Sequence, residues 1–555
     1  MAKSKKSNLK SSEFSAQSSE QKTVSQTNKT PINIGEQIRN TLIYEWQNEK
    51  LLYLFLIIHF VSLYAFSFYS DGFYQGEEGA HYINMKMFWE NPSVILGNWA
   101  KTGWKLLYIF PVLGGKTLVF LMNCFWATLT AFFTYKIVKN RGSEIALLVI
   151  PLMMSSILWF GVSFRNYSEI SAACMIMAAV YFHFKSNDLW AAFFISFGLI
   201  IRQELYLPAF LFGAYLLYRM NFRAIAMLAL FPLLNNFWGF VETGDLLYLY
   251  SDAKKTATQY SSQYLRAGFD HYFLMSGVCF GYLTVIGILL YLVMLVRKIR
   301  TQEWFVLIPF YIFFLTDCLF NLKSYPIGTS TAGNLRYMLI ILPLGVAMAV
   351  WALGDFYKLK KKYLYLILFV PILIAVAYFF TFDHNWIERA FWAPRIYTPL
   401  YVSMALVVVM MIPRISVKVY RWLLIALCAV NVYLFTNPIQ LANRDENSTC
   451  KEIVDWVNQN KYIHSRHIYQ QLSMFTYFMD MTPSEFKYGL DNVTVPLMEQ
   501  SKVGSIVIWD SHFAERYGGV NYKYFEDRPD KFLILKQWQS PDQKVVFAAF
   551  ERINY

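Results

Sequence analysis

The sequence predicts a polytopic α-helical membrane protein with about 13 transmembrane helices. Its N-terminus is expected inside and its C-terminus outside, with a small extracytoplasmic α/β domain at the C-terminal end. Three observations carry this expectation. The 555 residues are 56% hydrophobic and 19% aromatic, too apolar for a soluble multidomain chain. Charged residues make up only 16% and gather in short clusters between apolar runs. Many of those runs approach the ~20 residues that a helix needs to cross a bilayer.

The elements follow in chain order. Residues 1–48 form a polar leader rich in Ser, Lys, Gln and Thr, expected to be disordered over most of its length. Its last part, from Ile34 to Asn48, carries helical periodicity suited to the membrane surface. The first apolar run starts near Leu51 and is expected to stay in the membrane as a signal anchor. A transmembrane region over 49–437 then offers thirteen spans, centred near Ile58, Ala127, Met154, Met177, Ile195, Phe212, Phe231, Ile286, Phe310, Gly345, Ile372, Leu406 and Ala429. Charge placement tests the count. With the N-terminus inside, the short turns holding Lys139/Arg141, Lys185, Arg219/Arg223, Arg297/Lys298/Arg300, Lys358–Lys362 and Arg414/Lys418/Arg421 all face the cytoplasm, as the positive-inside rule requires. The opposite turns are longer and carry the acids, among them a first outer loop at 71–115 and another at 242–271.

Residues 438–555 change character. In Ser448-Thr449-Cys450-Lys451-Glu452, Thr449 and Glu452 stand at capping-box spacing before Ile453, Val454 and Val457, which predicts a helix. The runs 505–509, 532–535 and 545–550 predict strands. In Trp509-Asp510-Ser511-His512, a strand-end Asp that caps the next helix accounts for Asp510 without a second active site. Asn447 and Asn492 open sequons for N-glycosylation, a pattern that is frequent by chance.

Composition also excludes some functions. The net charge of +13 comes from topogenic clusters with no interleaved stacking platform, which argues against nucleic acid as a partner. The six cysteines have no metal-ligand spacing, and five of them lie in apolar runs, as small apolar residues do.

Chemistry concentrates in the first outer loop. Asp71-Gly72-Phe73-Tyr74-Gln75-Gly76-Glu77-Glu78-Gly79-Ala80-His81-Tyr82 places acids and a histidine among glycines where the chain first meets water. Adjacent carboxylates at such a boundary suit a general base, because nearby like charge and partial burial raise a pKa toward neutrality. A helix starting at Glu78 would align Tyr82, Met85, Phe88 and Trp89 as an apolar stripe for the membrane interface, with His81 within a turn of the acids. The competing reading is a solvated loop with the usual acidic helix start. Outer arginines complete the picture: Arg165 before Asn166-Tyr167-Ser168-Glu169, Arg202 before Gln203-Glu204, and Arg336 after Asn334-Leu335. Guanidinium groups grip phosphate in bidentate fashion, although each of these also suits pairing with a neighbouring acid. Arg266, Asp270 and His271, from loop 242–271, are further candidates on a segment placed to fold over the site as a lid.

With these residues the sequence resembles the GT-C superfamily of integral-membrane glycosyltransferases. The resemblance rests on the acidic first outer loop, the Arg165-x-x-Ser168-Glu169 helix start, Arg202 before a Pro-containing span, and the C-terminal outer domain. The stretch Ser163–Tyr181 is most similar to polyprenyl- and dolichyl-phosphate-sugar-dependent mannosyltransferases. What this implies is inverting transfer of a single mannose, or a similar hexose or pentose, from a polyprenyl-phosphate donor to a glycan, lipid or protein acceptor. The reaction would take place on the outer face of a bacterial inner membrane or an ER membrane. It also implies Glu77, Glu78 or Asp71 as base, and Arg202 and Arg336 as the foremost phosphate ligands. The usual acid pair is here Glu77-Glu78, and no Asp-x-Asp is present, so a divalent metal is possible but not implied. Two readings from other classes stand beside this one: a transporter or flippase of lipid-linked glycan, and a non-catalytic membrane assembly protein. An en bloc oligosaccharyltransferase would carry a Trp-Trp-Asp-Tyr-Gly tail motif, and this chain has none.

Overall fold

The structure, a computed structural model, describes residues 49–69, 76–97, 99–261, 268–294, 301–322, 333–359, 398–435 and 445–555. The chain divides into two units, Met1–Tyr53 and Leu54–Tyr555, and the site lies wholly within the second. Helix follows helix as the apolar runs dictate. The longer ones are α1 (Lys50–Ser67), α2 (Gly76–Met87), α3 (Gly115–Asn140), α4 (Ser168–Phe184), α5 (Asp188–Ile201), α6 (Tyr206–Tyr218) and α7 (Phe222–Thr243). After these come α8 (Tyr248–Ser261), α9 (Tyr282–Met294), α10 (Trp304–Phe320), α11 (Leu342–Tyr357), α12 (Thr398–Met411), α13 (Val417–Phe435) and α14 (Asp445–Gln459).

Among the described residues, four stretches are long and apolar enough to cross a membrane by length and composition: Lys50–Ser67, Pro111–Asn140, Phe222–Thr243 and Val417–Leu434. Shorter apolar helices of 10–17 residues occupy most of the other expected spans. The centre expected near Ile372 lies outside the described residues. The one near Met154 meets a break, because Val149–Met154 ends at Ser155 and the Ser156 side chain caps a new helix, Ile157–Val162, by accepting from Trp159 N–H. Asn187 and Asn221 start α5 and α7 in the same way.

Close approach between helices comes from small residues. A Cβ on Gly287 of α9 would lie 2.3 Å from the Cβ of Ala349 on α11, so only glycine permits that crossing. Gly103, in the short helix Thr102–Leu106, likewise abuts Ile200 of α5 and fixes the end of the first loop against the bundle.

The C-terminal residues form a five-stranded sheet of β1 (Ile468–Gln470), β2 (Leu490–Asp491), β3 (Ile506–Asp510), β4 (Phe532–Gln539) and β5 (Val546–Arg552), in the order β2-β1-β3-β5-β4. β1 runs parallel to β2 and β3, whereas β5 runs antiparallel to β3 and β4. β3, β4 and β5 cover the expected strands, and Phe525 stacks on Phe550 in their core at 4.2 Å. Asp510 caps as expected, with its carboxylate accepting from the backbone N–H groups of His512, Phe513 and Ala514. The helix expected to start at the cap in 448–449 starts instead at Asp445 and places Ser448 and Thr449 inside α14. Cys450, Ile453, Val454 and Val457 still fall on its buried face, so periodicity outweighs the cap signal.

Candidate active site

The stretch expected as the first outer loop forms a helix at the acids. α2 begins at Gly76, two residues earlier than its expected start, which puts Glu77 and Glu78 in its first turn where the helix dipole favours negative charge. The expected membrane-facing stripe is corrected in its first half: Tyr82 and Met85 are fully buried, and Tyr82 sits edge-on to Tyr477 at 5.4 Å. Phe88 stays half-buried, and Trp89 stays exposed while donating its Nε1–H to the carbonyl of Ile109. The reason is steric. Gly79 offers no side chain, so the helix Ser473–Met479 presses against α2 until a Cβ at position 79 would be 2.8 Å from Met474 Sδ.

The two glutamates, though adjacent, have different surroundings. Glu78 is fully buried: its Oε1 accepts from the Asn166 backbone N–H at 3.0 Å, and its carbonyl accepts from Asn166 Nδ2 at 3.1 Å. Glu77 is half-buried. Its Oε2 accepts from Arg336 Nη2 at 2.7 Å, and its Oε1 lies 3.6 Å from His81 Nε2. The raised pKa expected of the paired acids is not found for Glu77: burial alone would push its carboxyl up, but the Arg336 guanidinium beside it, helped by His81, holds it well below the usual carboxylate range. Glu77 is therefore ionised at neutral pH. Burial lowers His81 to about 4, leaving a neutral ring between the indoles of Trp99 (4.7 Å) and Trp104 (5.0 Å).

Behind Glu77 lies a network of buried charge. Glu169, in the first turn of α4, shares Oε1 between Arg202 Nη1 at 2.9 Å and Arg336 Nε at 3.2 Å. Arg202 also holds Glu204 with Nε at 3.1 Å and Nη2 at 2.5 Å, and it reaches Ser168 Oγ at 3.2 Å. Both guanidinium groups rest on aromatic faces, Arg202 on Tyr337 at 4.3 Å and Arg336 on Tyr167 at 4.2 Å. Arg202 is 2% exposed, so to meet a phosphate it would have to leave two carboxylates.

Lys101 and Lys105 flank the cluster. Burial and the charge of Arg202 together lower Lys101 to about 8. Burial lowers Lys105 to about 7 against the pull of Glu77. Among the described residues neither lysine forms an ion pair within 4 Å. Lys101 sits at φ 59°, a left-handed backbone just before the Thr102–Leu106 helix.

The other expected residues are dispersed. Arg165 is buried beside the Phe164 ring at 5.6 Å. His271 is buried too, with Nε2 2.8 Å from the carbonyl of Gly333, so it ties its segment to the turn before Arg336 and does not join the acids directly. Asp71 and Arg266 lie outside the described residues. Loop 242–271 carries α8, which reaches the first loop where Gly97, at φ +108°, leaves room for Asp252 and Tyr248. Among the described residues, no three His, Cys, Asp or Glu side chains converge enough to hold a metal ion. Sequence reasoning missed the parts played by Asn166, Glu169 and the two lysines. For Glu169 and Lys105 a signal exists, namely charge buried in apolar surroundings. Asn166 gives none.

This helical frame, with its acidic α2 and its C-terminal sheet, is similar to two solved structures. The crystal structure of ArnT from Cupriavidus metallidurans bound to undecaprenyl phosphate superimposes with a TM-score of 0.57 at 11% identity, covering 90% of this chain and 98% of that one. ArnT in the apo state gives 0.59 at 10% identity, covering 91% and 98%. The chain has the GT-C fold. It is an integral membrane protein with that fold, as the sequence led us to expect. No family model and no curated protein sequence matches the chain.

Proposed function

We propose that this GT-C chain is an inverting glycosyltransferase that moves one sugar from a polyprenyl-phosphate donor to an acceptor hydroxyl at the outer face of the membrane. The observation that carries this is Glu77. It is a half-exposed carboxylate kept ionised by Arg336, in a fold whose relative ArnT has been crystallised with undecaprenyl phosphate. In the proposed step the acceptor oxygen attacks the anomeric carbon and its proton passes to Glu77. The bond from the anomeric carbon to phosphate oxygen breaks, and polyprenyl phosphate leaves with the electron pair. Cations stabilise that leaving group without protonating it. Lys101 and Lys105 take this role together with Arg336, which is also held by two carboxylates but is 11% exposed, while the more deeply buried Arg202 holds Glu169 and Glu204 in place. Glu78, bound to Asn166, positions α2. Mannose or a similar hexose or pentose is the sugar that the sequence resemblance favours.

The test is transfer by the purified protein in bilayers supplied with a panel of polyprenyl-phosphate sugars and a glycan, lipid or peptide acceptor. The expected result is donor consumption with inversion at the anomeric carbon. Net movement of intact donor across the bilayer without cleavage would overturn this reading in favour of a transporter.

A further inference from the structure

We propose that the C-terminal segment braces the helix bearing Glu77, and that Asp480 is the positioning residue of that brace. This rests on the reading of Glu77 as the base.

The geometry divides α2 into two working faces. At ~100° per residue, Gly79, Tyr82, Lys86 and Glu90 share one side of the helical path, and Glu77 and His81 point roughly the opposite way. The contacts follow this division. On the first side the Tyr82 hydroxyl donates to Asp480 Oδ1 at 2.8 Å. Lys86 Nζ donates to the Asp480 carbonyl at 2.5 Å, with Oδ1 at 3.3 Å. Just past the helix, Glu90 accepts from the Thr482 and Ser484 hydroxyls at 3.0 and 2.5 Å. On the other side, Arg336 and the buried charge network grip Glu77. The helix is thus held from both sides, and its side chains there come from residues nearly 400 and about 260 positions away in sequence.

Asp480 is built for this place. It ends the Ser473–Met479 helix at φ 52°, a left-handed turn that Asp and Asn tolerate better than most residues. That turn aims both its carbonyl and its carboxylate at α2. Tyr82 is fully buried, and loss of Asp480 would take this hydrogen bond from its hydroxyl. A base must sit within hydrogen-bond reach of the proton it takes, and a shift of about 1 Å can cost on the order of 100-fold in rate. A brace on the back of α2 therefore acts on catalysis through Glu77 without touching substrate.

The experiment compares the full-length parent with Tyr82→Phe, Asp480→Ala and Asp480→Asn in bilayer discs, following amide hydrogen exchange over 77–87 alongside transfer kinetics. Tyr82→Phe leaves the backbone at 480 untouched, which separates the brace from misfolding of the turn. The expected result is faster exchange in α2 for Tyr82→Phe and Asp480→Ala, with kcat lowered about 10–100-fold and donor KM within about 2-fold. Asp480→Asn keeps the carbonyl, the acceptor oxygen and the left-handed turn, and is expected to restore most of both. Parent-like exchange and kcat in Tyr82→Phe and Asp480→Ala would overturn the brace, as would lost activity with unchanged α2 exchange. If the parent itself transfers no sugar, the reading of Glu77 fails, and the exchange arm still decides whether Asp480 holds α2.

Discussion

Two buried arginine–carboxylate knots lie toward opposite ends of α3, whose 26 residues span about 39 Å. At its C-terminal end, Arg141 binds Glu303 and Asp355, each at 2.7 Å, over the ring of Trp351. Toward the other end, Arg336 binds Glu77 and Glu169 over the ring of Tyr167. The parts are the same and the surroundings differ. Glu303 is closed off by the Tyr291 hydroxyl at 2.7 Å, and Asp355 opens onto a surface where Lys358 pairs with Glu144. That knot joins helix ends, and its exposed carboxylate is Asp355. The Glu77 knot has Glu77 at the rim of an otherwise enclosed cluster, with a neutral histidine and two proton-shedding lysines beside it. A buried ion pair alone does not mark a site. An accessible carboxylate among cations with displaced pKa values does.

The comparison can be broken or sharpened by substitution. Arg336→Met is expected to have the largest effect, lowering kcat/KM about 100–1,000-fold in donor-turnover assays, because a preorganised cation is lost and Glu77 loses its partner. The effect of Lys105→Met is expected to be smaller, about 10-fold and mostly in the donor step. The lysines also set a pH dependence. Each assists only while protonated, and Lys105 and Lys101 lose their protons near 7 and 8, so turnover falls as pH rises through that window. Lys105→Arg is expected to move the alkaline limb upward in a pH–rate profile, because a guanidinium does not deprotonate there. Glu77 is held well below the usual carboxylate range, so it adds no acid limb within this window. Arg141→Met is expected to change turnover per folded molecule least, by less than about 2-fold. It should nevertheless lower the melting temperature, since Glu303 would be left buried without its cation.

The sequence made the fold class legible because apolar runs, basic turns and the strand-like tail all have patterns longer than any single contact. It made the first-loop acids legible because charge beside glycine at a membrane boundary is conspicuous. Several features had no local signature. Glu77 and Glu78 are the same residue type one step apart, yet ~100° of helical rotation sends one to Arg336 and the other to Asn166. Arg202 and Arg336 stood out as outer arginines, but whether a guanidinium meets phosphate or carboxylate depends on Glu169 and Glu204, brought in by other turns. The supposed membrane face of α2 looked apolar whichever surface covered it. The partner proved to be Tyr477, nearly 400 residues downstream.

The most direct test is to set Glu77→Gln beside Glu78→Gln in bilayers charged with a labelled polyprenyl-phosphate sugar, with protein amount and melting temperature matched. The account predicts that Glu77→Gln loses about 100–10,000-fold in kcat while remaining folded. Glu78→Gln is predicted to lose stability first, and to retain measurable turnover in the fraction that folds. Near-parental transfer by Glu77→Gln would contradict it.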